Sequence, residues 1–503
     1  MLKLEPKQLS LFSILYDKIP ANHILKTINK SVDFSFINEL LVDSYCSYYG
    51  RPAKEPEMMA KILILQYLYN LSDVRVIEEL NVNLAYKWFI GLNPDDDLPH
   101  PSLLAKFRTH RLQETSIDDI IKEIVRQCIE AGIITDTAVS IDATHSAANT
   151  IKKVPERIMK HLAKSILKTL QDENGVVPET VDEKIPDYKA VEDHNEAKLI
   201  MKSYLENLIE TVESNTELSS KPETKLKIEK AKDILSDPLF MKQKGIRSLV
   251  DEDARVGHKS KVDTFFGYKT EYAMLADQRI ITAVTTQHGA YVDGADFDKL
   301  YETTKKCGVE IKEVYGDKAY FKKPIFNKLK EDKIKIMIPV NACSYKVDES
   351  MFSYNKDSDQ WFCINGNETF KKRNEEKSGG YKVVAYFFIK DECKSCPHRS
   401  NCSVGKNAGK KLIIGTNATE YYEHNQWTKT EEFKEKYKKR ASHEWKNGEM
   451  KRFHGLNRAR GYGLKSYGIQ ARLTALAVNL KRIAGIVSSL FSYKPQNIGY
   501  YFT

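Results

Sequence analysis

No run of about eighteen apolar residues is apparent in the 503-residue chain, so no membrane span is expected. The opening segment, MLKLEPKQLSLFSILYDKIP, lacks the basic start, apolar run and small-residue cleavage site of a secretory leader. No lipidation signal or amphipathic anchor accompanies the basic residues, which argues against a membrane partner. No heptad seam declares a coiled-coil oligomer. Cysteine is sparse, eight in all. In the cytoplasmic setting that these absences point to, the thiols are expected to be reduced or metal-bound.

Hydrophobic residues make up 41% of the chain and charged residues 29%, the balance of a soluble globular protein. The length suffices for roughly two to four domains with a sizeable core. Net charge is +9, and its placement says more than its size. From Lys434 to Arg482 there are fourteen Lys and Arg against three Glu, a balance of +11, so the rest of the chain sums to −2. A field that concentrated suits a polyphosphate partner.

At the centre of that field lies YKKRASHEWKNGEMK, Tyr437 to Lys451. It has no Pro and one Gly, and the pattern predicts one helix. On that helix Tyr437, Arg440, Glu444 and Lys451 fall within roughly 60° of arc. One face then carries a carboxylate for a cation and two cations for phosphate. The plainer alternative is a solvated face of i,i+4 pairs, since Arg440 and Glu444 have that spacing.

Residues 1–115 read as helical. EPEMMAKILILQYLYN is apolar-rich, SDVRVIEEL follows with Ser72 or Asp73 as cap, and LAYKWFIGL precedes a Pro-broken turn. SLLAKFRTHRL, capped by Ser102, carries Arg108 and Arg111, which a helix-turn-helix reader would present to DNA. An ordinary helical bundle with a basic surface is the alternative. ITDTAVSIDATHSAANT predicts a buried strand ending at or just after Asp142. Residues 151–250 read as a helical insertion, an antiparallel pair built on IMKHLAKSILKTL and KLIMKSYLENLIETV. GYKTEYAMLAD and RIITAVTTQHG then form a hairpin. A helix capped by Asp293 or Asp296, a strand ending at Gly316-Asp317, a second helix and the strand IKIMIPV follow. Residues 341–416 form a β-rich insertion, and the last helix stripes Ile469, Leu473, Leu476, Leu480 and Ile483 along one side. The core segments, 134–150, 251–340 and 417–490, compose an α/β mixed sheet with crossover helices.

Three carboxylates stand out by context. Asp142 and Asp317 sit at strand ends, where chemistry gathers in open α/β sheets, and Glu444 lies on a later helix. Such a set suits Mg²⁺, and two ions about 4 Å apart activate an attacking oxygen and stabilise a leaving one. Asp293 and Asp296 fit better as helix caps, and Asp136 precedes its strand.

The spacing Tyr437-x₂-Arg440-x₃-Glu444-x₆-Lys451 resembles, without a gap, the Y-R-E-K signature of DDE-type insertion-sequence transposases, and the chain is most similar to their 1182-type branch. YYGRPAKEPEMMAKILILQYLYNLSDVRVIEEL resembles the N-terminal helical domain of that branch. SIDATHSAAN and VYGDKAY resemble its two Asp segments, and RFHGLNRARGYGLKSYGIQARLTALAVNLKRI its C-terminal tail. Ala319 departs from the Gly usual after Asp-Lys. The resemblance implies an RNase H-like core that binds two Mg²⁺ through Asp142, Asp317 and Glu444. It implies that Tyr437, Arg440 and Lys451 contact phosphates near the cleaved end, with Arg452 beside them. Water would attack first, and the freed 3′-hydroxyl would then attack target DNA. The partner is double-stranded DNA, and joining two ends implies a homodimer when DNA is bound. A metal-dependent nuclease on the same fold and a non-catalytic DNA-binding derivative remain alternatives.

Cys393, Cys396 and Cys402, with Cys363 upstream, have the pattern of a structural zinc site, and His398 is an alternative fourth ligand. Related transposases often carry a similar cysteine set. Free reduced thiols are the competing reading. Cys46, Cys128, Cys307 and Cys343 read as isolated core residues.

Overall fold

The computed structural model describes residues 8–46, 52–150, 153–238, 240–241, 247–259, 262–377, 381–402 and 408–492. Residues 48–51, where the first family-like stretch begins, lie outside the described residues, as do residues 1–7 of the opening segment.

Seven helices lead: α1 (Ile24–Ser31), α2 (Phe36–Leu41), α3 (Pro56–Leu68), α4 (Asp73–Val82), α5 (Leu84–Phe89), α6 (Ser102–His110) and α7 (Glu114–Glu130). Pro56 opens α3, where its missing N–H costs nothing. Apolar residues then surround that helix, so it is buried on nearly every side. Ser72 caps α4 by accepting from the Arg75 amide at 3.1 Å. Ser102 is not the cap of α6. It is the first helical residue, and Pro101 precedes it.

Strand β1 (Ala138–Ala147) follows. It is buried on both faces along its first half, the mark of a central strand. Asp142 therefore lies in mid-strand and not at its end. The small residues after it, expected to leave the sheet, pair antiparallel with a long neighbour as far as Ala147 opposite Gly267.

The insertion holds α8 (Pro155–Asn174), α9 (His194–Ser214), the short α10 (Thr216–Ser219) and α11 (Pro222–Ser236). Ile158, Leu162, Met201, Leu205 and Ile228 help form a core of its own. The expected helical pair is thus joined by α11, whose few apolar residues are diluted by lysines.

The sheet continues with β2 (Arg255–His258), β3 (Thr264–Leu275) and β4 (Ile281–His288), then α12 (Phe297–Lys306), β5 (Glu313–Tyr315), α13 (Lys323–Glu331) and β6 (Lys335–Met337). Neighbours run β4-β3-β1-β5-β6, with β2 on the first residues of β3. The β3–β4 hairpin turns through Arg279 at φ 58°. β1 pairs parallel with β5, and β5 with β6. The result is a mixed α/β fold.

A smaller β unit follows: β7 (Phe352–Asn355), β8 (Gln360–Cys363), β9 (Thr369–Lys377), β10 (Tyr381–Phe388), α14 (Lys390–Lys394) and β11 (Lys411–Gly415). The chain closes with α15 (Ala418–Thr428), α16 (Glu431–Tyr437), a 3₁₀ turn at Lys438–Arg440, α17 (Ala441–Phe453) and α18 (Leu464–Ser492). The single helix expected over Tyr437–Lys451 is therefore broken by the tighter turn.

α18 packs on α1, α3 and α7 and on β4. By length and composition it is apolar enough to cross a membrane, which the sequence reading missed. Its striped residues Ile469, Leu473, Leu476, Leu480 and Ile483 are all buried in the core. Arg472, also buried, reaches Glu114 at 2.6 Å and Asp118 at 2.8 Å on α7, joining the helical unit to the sheet. Cys128 and Cys307 are core residues, but Cys46 and Cys343 are exposed, contrary to expectation.

Candidate active site

Register brings the two aspartates together. Ser140 of β1 pairs with Tyr315 of β5 in a parallel ladder, and Asp142 and Asp317 each stand two residues further on. The Asp142 carboxylate is nearly buried and takes the Ala143 amide at 2.9 Å. Burial pushes its pKa up to about 6, and the neighbouring Asp317 and Asp293 charges add to the rise against Arg440 and the amide. Asp317 opens a 3₁₀ turn and accepts the Ala319 amide at 2.8 Å, a bond that a side chain at 319 does not prevent.

α17 covers this part of the sheet. Tyr272, opposite Asp142 across β1 and β3, donates its hydroxyl to Asn447 at 2.8 Å and lies 4.8 Å from the His443 ring. These contacts seat the helix that bears Glu444. The Glu444 side chain is 71% exposed. Arg440 lies between the acids, with one guanidinium nitrogen 3.5 Å from Asp142 and another 3.9 Å from Glu444.

The expected convergence of three acids is therefore not formed in this arrangement. Among the described residues no three His, Cys, Asp or Glu side chains are gathered tightly enough to hold a metal ion. The physical reason is local. Facing carboxylates repel unless a cation stands between them, and here the guanidinium takes that place.

Tyr437 donates its hydroxyl to the Gly316 carbonyl at 3.1 Å and stacks on Phe433. Burial pushes its pKa up to about 12. This tyrosine braces the turn ahead of Asp317, and its hydroxyl is already spent on that bond. Lys451 is half-buried and, among the described residues, has no carboxylate partner. Desolvation, with Lys259 nearby, lowers its pKa to about 8. Arg452 is exposed. Arg108 is turned inward, ion-paired with Asp73 and bonded to Gln66 at 3.1 Å. Arg111 stacks over the Tyr45 ring at 4.5 Å.

Asp296 stands at the N-cap position of α12 as expected, but its side chain makes no capping bond, and Asp293 lies further back. Asp293 pairs with Lys269 at 2.7 Å, and Asp296 accepts from Gln287 at 3.1 Å. Asp136 bonds the amides of Ala138, Asp277 and Gln278, a turn-forming role. The sequence reading passed over Glu271 and His145. Glu271 is buried, bonded to Tyr320 at 3.0 Å, and burial pushes its pKa up to about 7. His145 packs on Phe265, and burial, then Lys451 and Lys259, lower its pKa to about 4. Both sit in strands, where neither motif nor spacing set them apart.

In the β unit, Cys363, Cys393, Cys396 and Cys402 line one small cavity with His398. The Lys410 amide lies 3.4 Å from the Cys393 sulfur. Desolvation raises the Cys402 pKa, and the other three cysteines add to the rise.

Two families of known proteins match the chain. A transposase domain family (DUF772) matches residues 13–110, and a transposase DDE domain family matches residues 362–484. The second match spans Tyr437, Arg440, Glu444 and Lys451 and takes in all of α17 and most of α18. Together they support a DDE-type transposase. No curated protein matches. Among solved structures, a piggyBac transposase synaptic complex with hairpin DNA is similar at TM-score 0.31 and 11% identity, over 93% of this chain and 75% of that one.

Proposed function

We propose that the protein is a DNA transposase of the 1182-type, Y-R-E-K branch. In this reading it binds transposon ends, cleaves phosphodiester bonds and joins the freed 3′ ends to target DNA. The observation that carries the reading is the bridge made by Arg440, which links buried Asp142, register-aligned with Asp317, to Glu444. The strand order β4-β3-β1-β5-β6 supports an RNase H-like core.

The donor set fits a hard divalent cation. It is all carboxylate oxygen, and the elevated Asp142 pKa marks negative charge crowded in a poorly solvated place. Asp142, Asp317 and Glu444 would hold two ions of the Mg²⁺ class, with Arg440 released toward phosphate. Bound ions of that class activate the attacking oxygen and stabilise the leaving one. Tyr437 holds the Gly316–Asp317 turn in place. Lys451 and Arg452, further along α17, take phosphates of the bound end. Joining two ends implies at least a dimer on DNA. Cys363, Cys393, Cys396 and Cys402 line one cavity in the β unit, which supports a structural zinc site there, although their sulfurs must draw closer than they stand in this structure to hold the ion.

Glu444→Gln tests the reading. It should lower strand cleavage by about a thousandfold or more, the loss of several kcal/mol of charge stabilisation, while end binding stays. Cleavage that survives the substitution removes Glu444 from the site. A joining assay with pre-cut ends separates a transposase from a nuclease.

A further inference from the structure

A cleft of about 870 Å³ opens where the N-terminal helices meet the loop between α17 and α18. Its walls come from the ends of α3 and α6, the start of α4, Asn149 just beyond β1, and residues 455–470. Four cations line it, Arg108, Arg458, Arg460 and Lys465, against one acid, Asp73. That acid is already paired with Arg108.

The cations divide into two kinds. Arg460 is structural. It bonds Asn70 at 2.8 Å and the Leu71 carbonyl at 2.9 Å, and it stacks on the Tyr67 ring at 4.4 Å. It fastens the loop to the helical unit and keeps the walls apart. Gly455, at φ 73°, permits this approach, since a β-carbon there would lie 2.5 Å from the Asn70 side chain. Arg458 and Lys465 are exposed, and among the described residues neither side chain has an ion-pair partner. Arg458 is held by its backbone, which bridges to Ala147 at the end of β1. Lys465 sits in the first turn of α18, where amide dipoles add positive potential. Tyr462, 53% exposed, lies between them on the cleft wall.

The chain leaving α17 forms one wall of the cleft. That helix carries Glu444 in its first turn and Lys451 and Arg452 in its last, and the cleft begins two residues beyond its end. At 1.5 Å per residue the cleft lies about 15 Å from Glu444 along the helix. That is roughly four or five base steps of a duplex.

We propose that this cleft is a backbone clamp for double-stranded DNA, in which Arg458 and Lys465 take phosphates about five base pairs from the cleaved bond. The proposal rests on the transposase reading and adds a site to it. Because its walls come from both units, the clamp exists only while the N-terminal helices are docked on the core. It makes that docking part of end recognition.

The test uses the full-length protein and a fluorescein-labelled duplex of about three helical turns taken from the DNA flanking its gene. Arg458→Ala/Lys465→Ala should lower the slope of log K against log salt by about 2 relative to the native protein. Both residues are exposed and, among the described residues, without an ion-pair partner, and a matching circular dichroism melt checks that the variant is folded. Lys465→Cys, tethered through a disulfide to thiol-modified phosphates, should cross-link best about five base pairs from the cleavage site. An unchanged slope in a protein that binds DNA overturns the clamp and leaves the transposase reading standing. Cross-linking confined to positions far from that phosphate does the same. A native protein that fails to bind the duplex overturns both.

Discussion

Lys451→Met should make the protein more stable and a poorer DNA binder. The ammonium is half-buried without a carboxylate partner among the described residues, and its pKa is lowered to about 8. The folded protein thus holds this proton less tightly than the unfolded chain does. Stability from this group rises as pH climbs from about 8 to about 10, and below that window the charge is a burden. At full burial the burden is about 3 kcal/mol. Solvent screening of so accessible a side chain leaves roughly 1 kcal/mol, which the apolar variant should recover in urea unfolding at neutral pH. Phosphate reverses the balance. Paired with DNA, the ammonium returns toward its ordinary pKa of about 10.4, so binding takes up a proton. Affinity of the native protein should then fall about tenfold between about pH 7 and pH 9, and that dependence should vanish in the variant. The variant's salt slope should also drop by about one. Fluorescence anisotropy on a labelled duplex measures both. A destabilised variant, or one that keeps the native pH dependence and slope, refutes the argument that this lysine waits for phosphate.

Other consequences follow from the same geometry. Asp142, its pKa pushed up to about 6 by burial, binds its proton more tightly folded than unfolded, so its burden on stability appears as pH rises from about 4 to about 6. Asp142→Asn should therefore raise stability at neutral pH by about 2 kcal/mol while abolishing cleavage, and calorimetry beside a cleavage assay would show whether both occur. Native cleavage should fall as pH drops below about 6, where the carboxyl is protonated. Cys396→Ser should remove zinc from purified protein and loosen the β unit to protease, and a zinc-free native protein that stays folded would end the zinc assignment. Arg472→Met leaves Glu114 and Asp118 without their cation and should cost about 3 kcal/mol in urea unfolding, whereas an unchanged midpoint would mean that α18 needs no ion pairs to hold α7.

The sheet was largely legible because its strands announce themselves by alternation and by turn residues. Thr264–Leu275 and Ile281–His288 fall where the hairpin pattern placed them. What sequence could not reveal was partnership. Ala143 to Ala147 look like loop residues, yet β3 runs alongside and keeps them in the sheet. α11 escaped notice because Lys and Glu dilute its apolar face. Arg108 and Arg111 appeared to be surface cations, but Asp73 and Tyr45, distant in sequence, claim them. The spacing from Tyr437 to Lys451 drew the eye to the residues now seen around Asp142. It held no sign that Lys438–Arg440 would tighten into a 3₁₀ turn and place Arg440 between two acids.

Everything chemical in this account depends on Asp142, Asp317 and Glu444 closing on divalent ions once DNA is present. Anomalous scattering from crystals of the DNA complex soaked in Mn²⁺ tests that directly. Two peaks are expected about 4 Å apart, each within about 2.2 Å of carboxylate oxygens from this trio, with Arg440 withdrawn from between them. A DNA complex with no peak at Asp142 and Asp317, and with Arg440 still spanning Asp142 and Glu444, would contradict it.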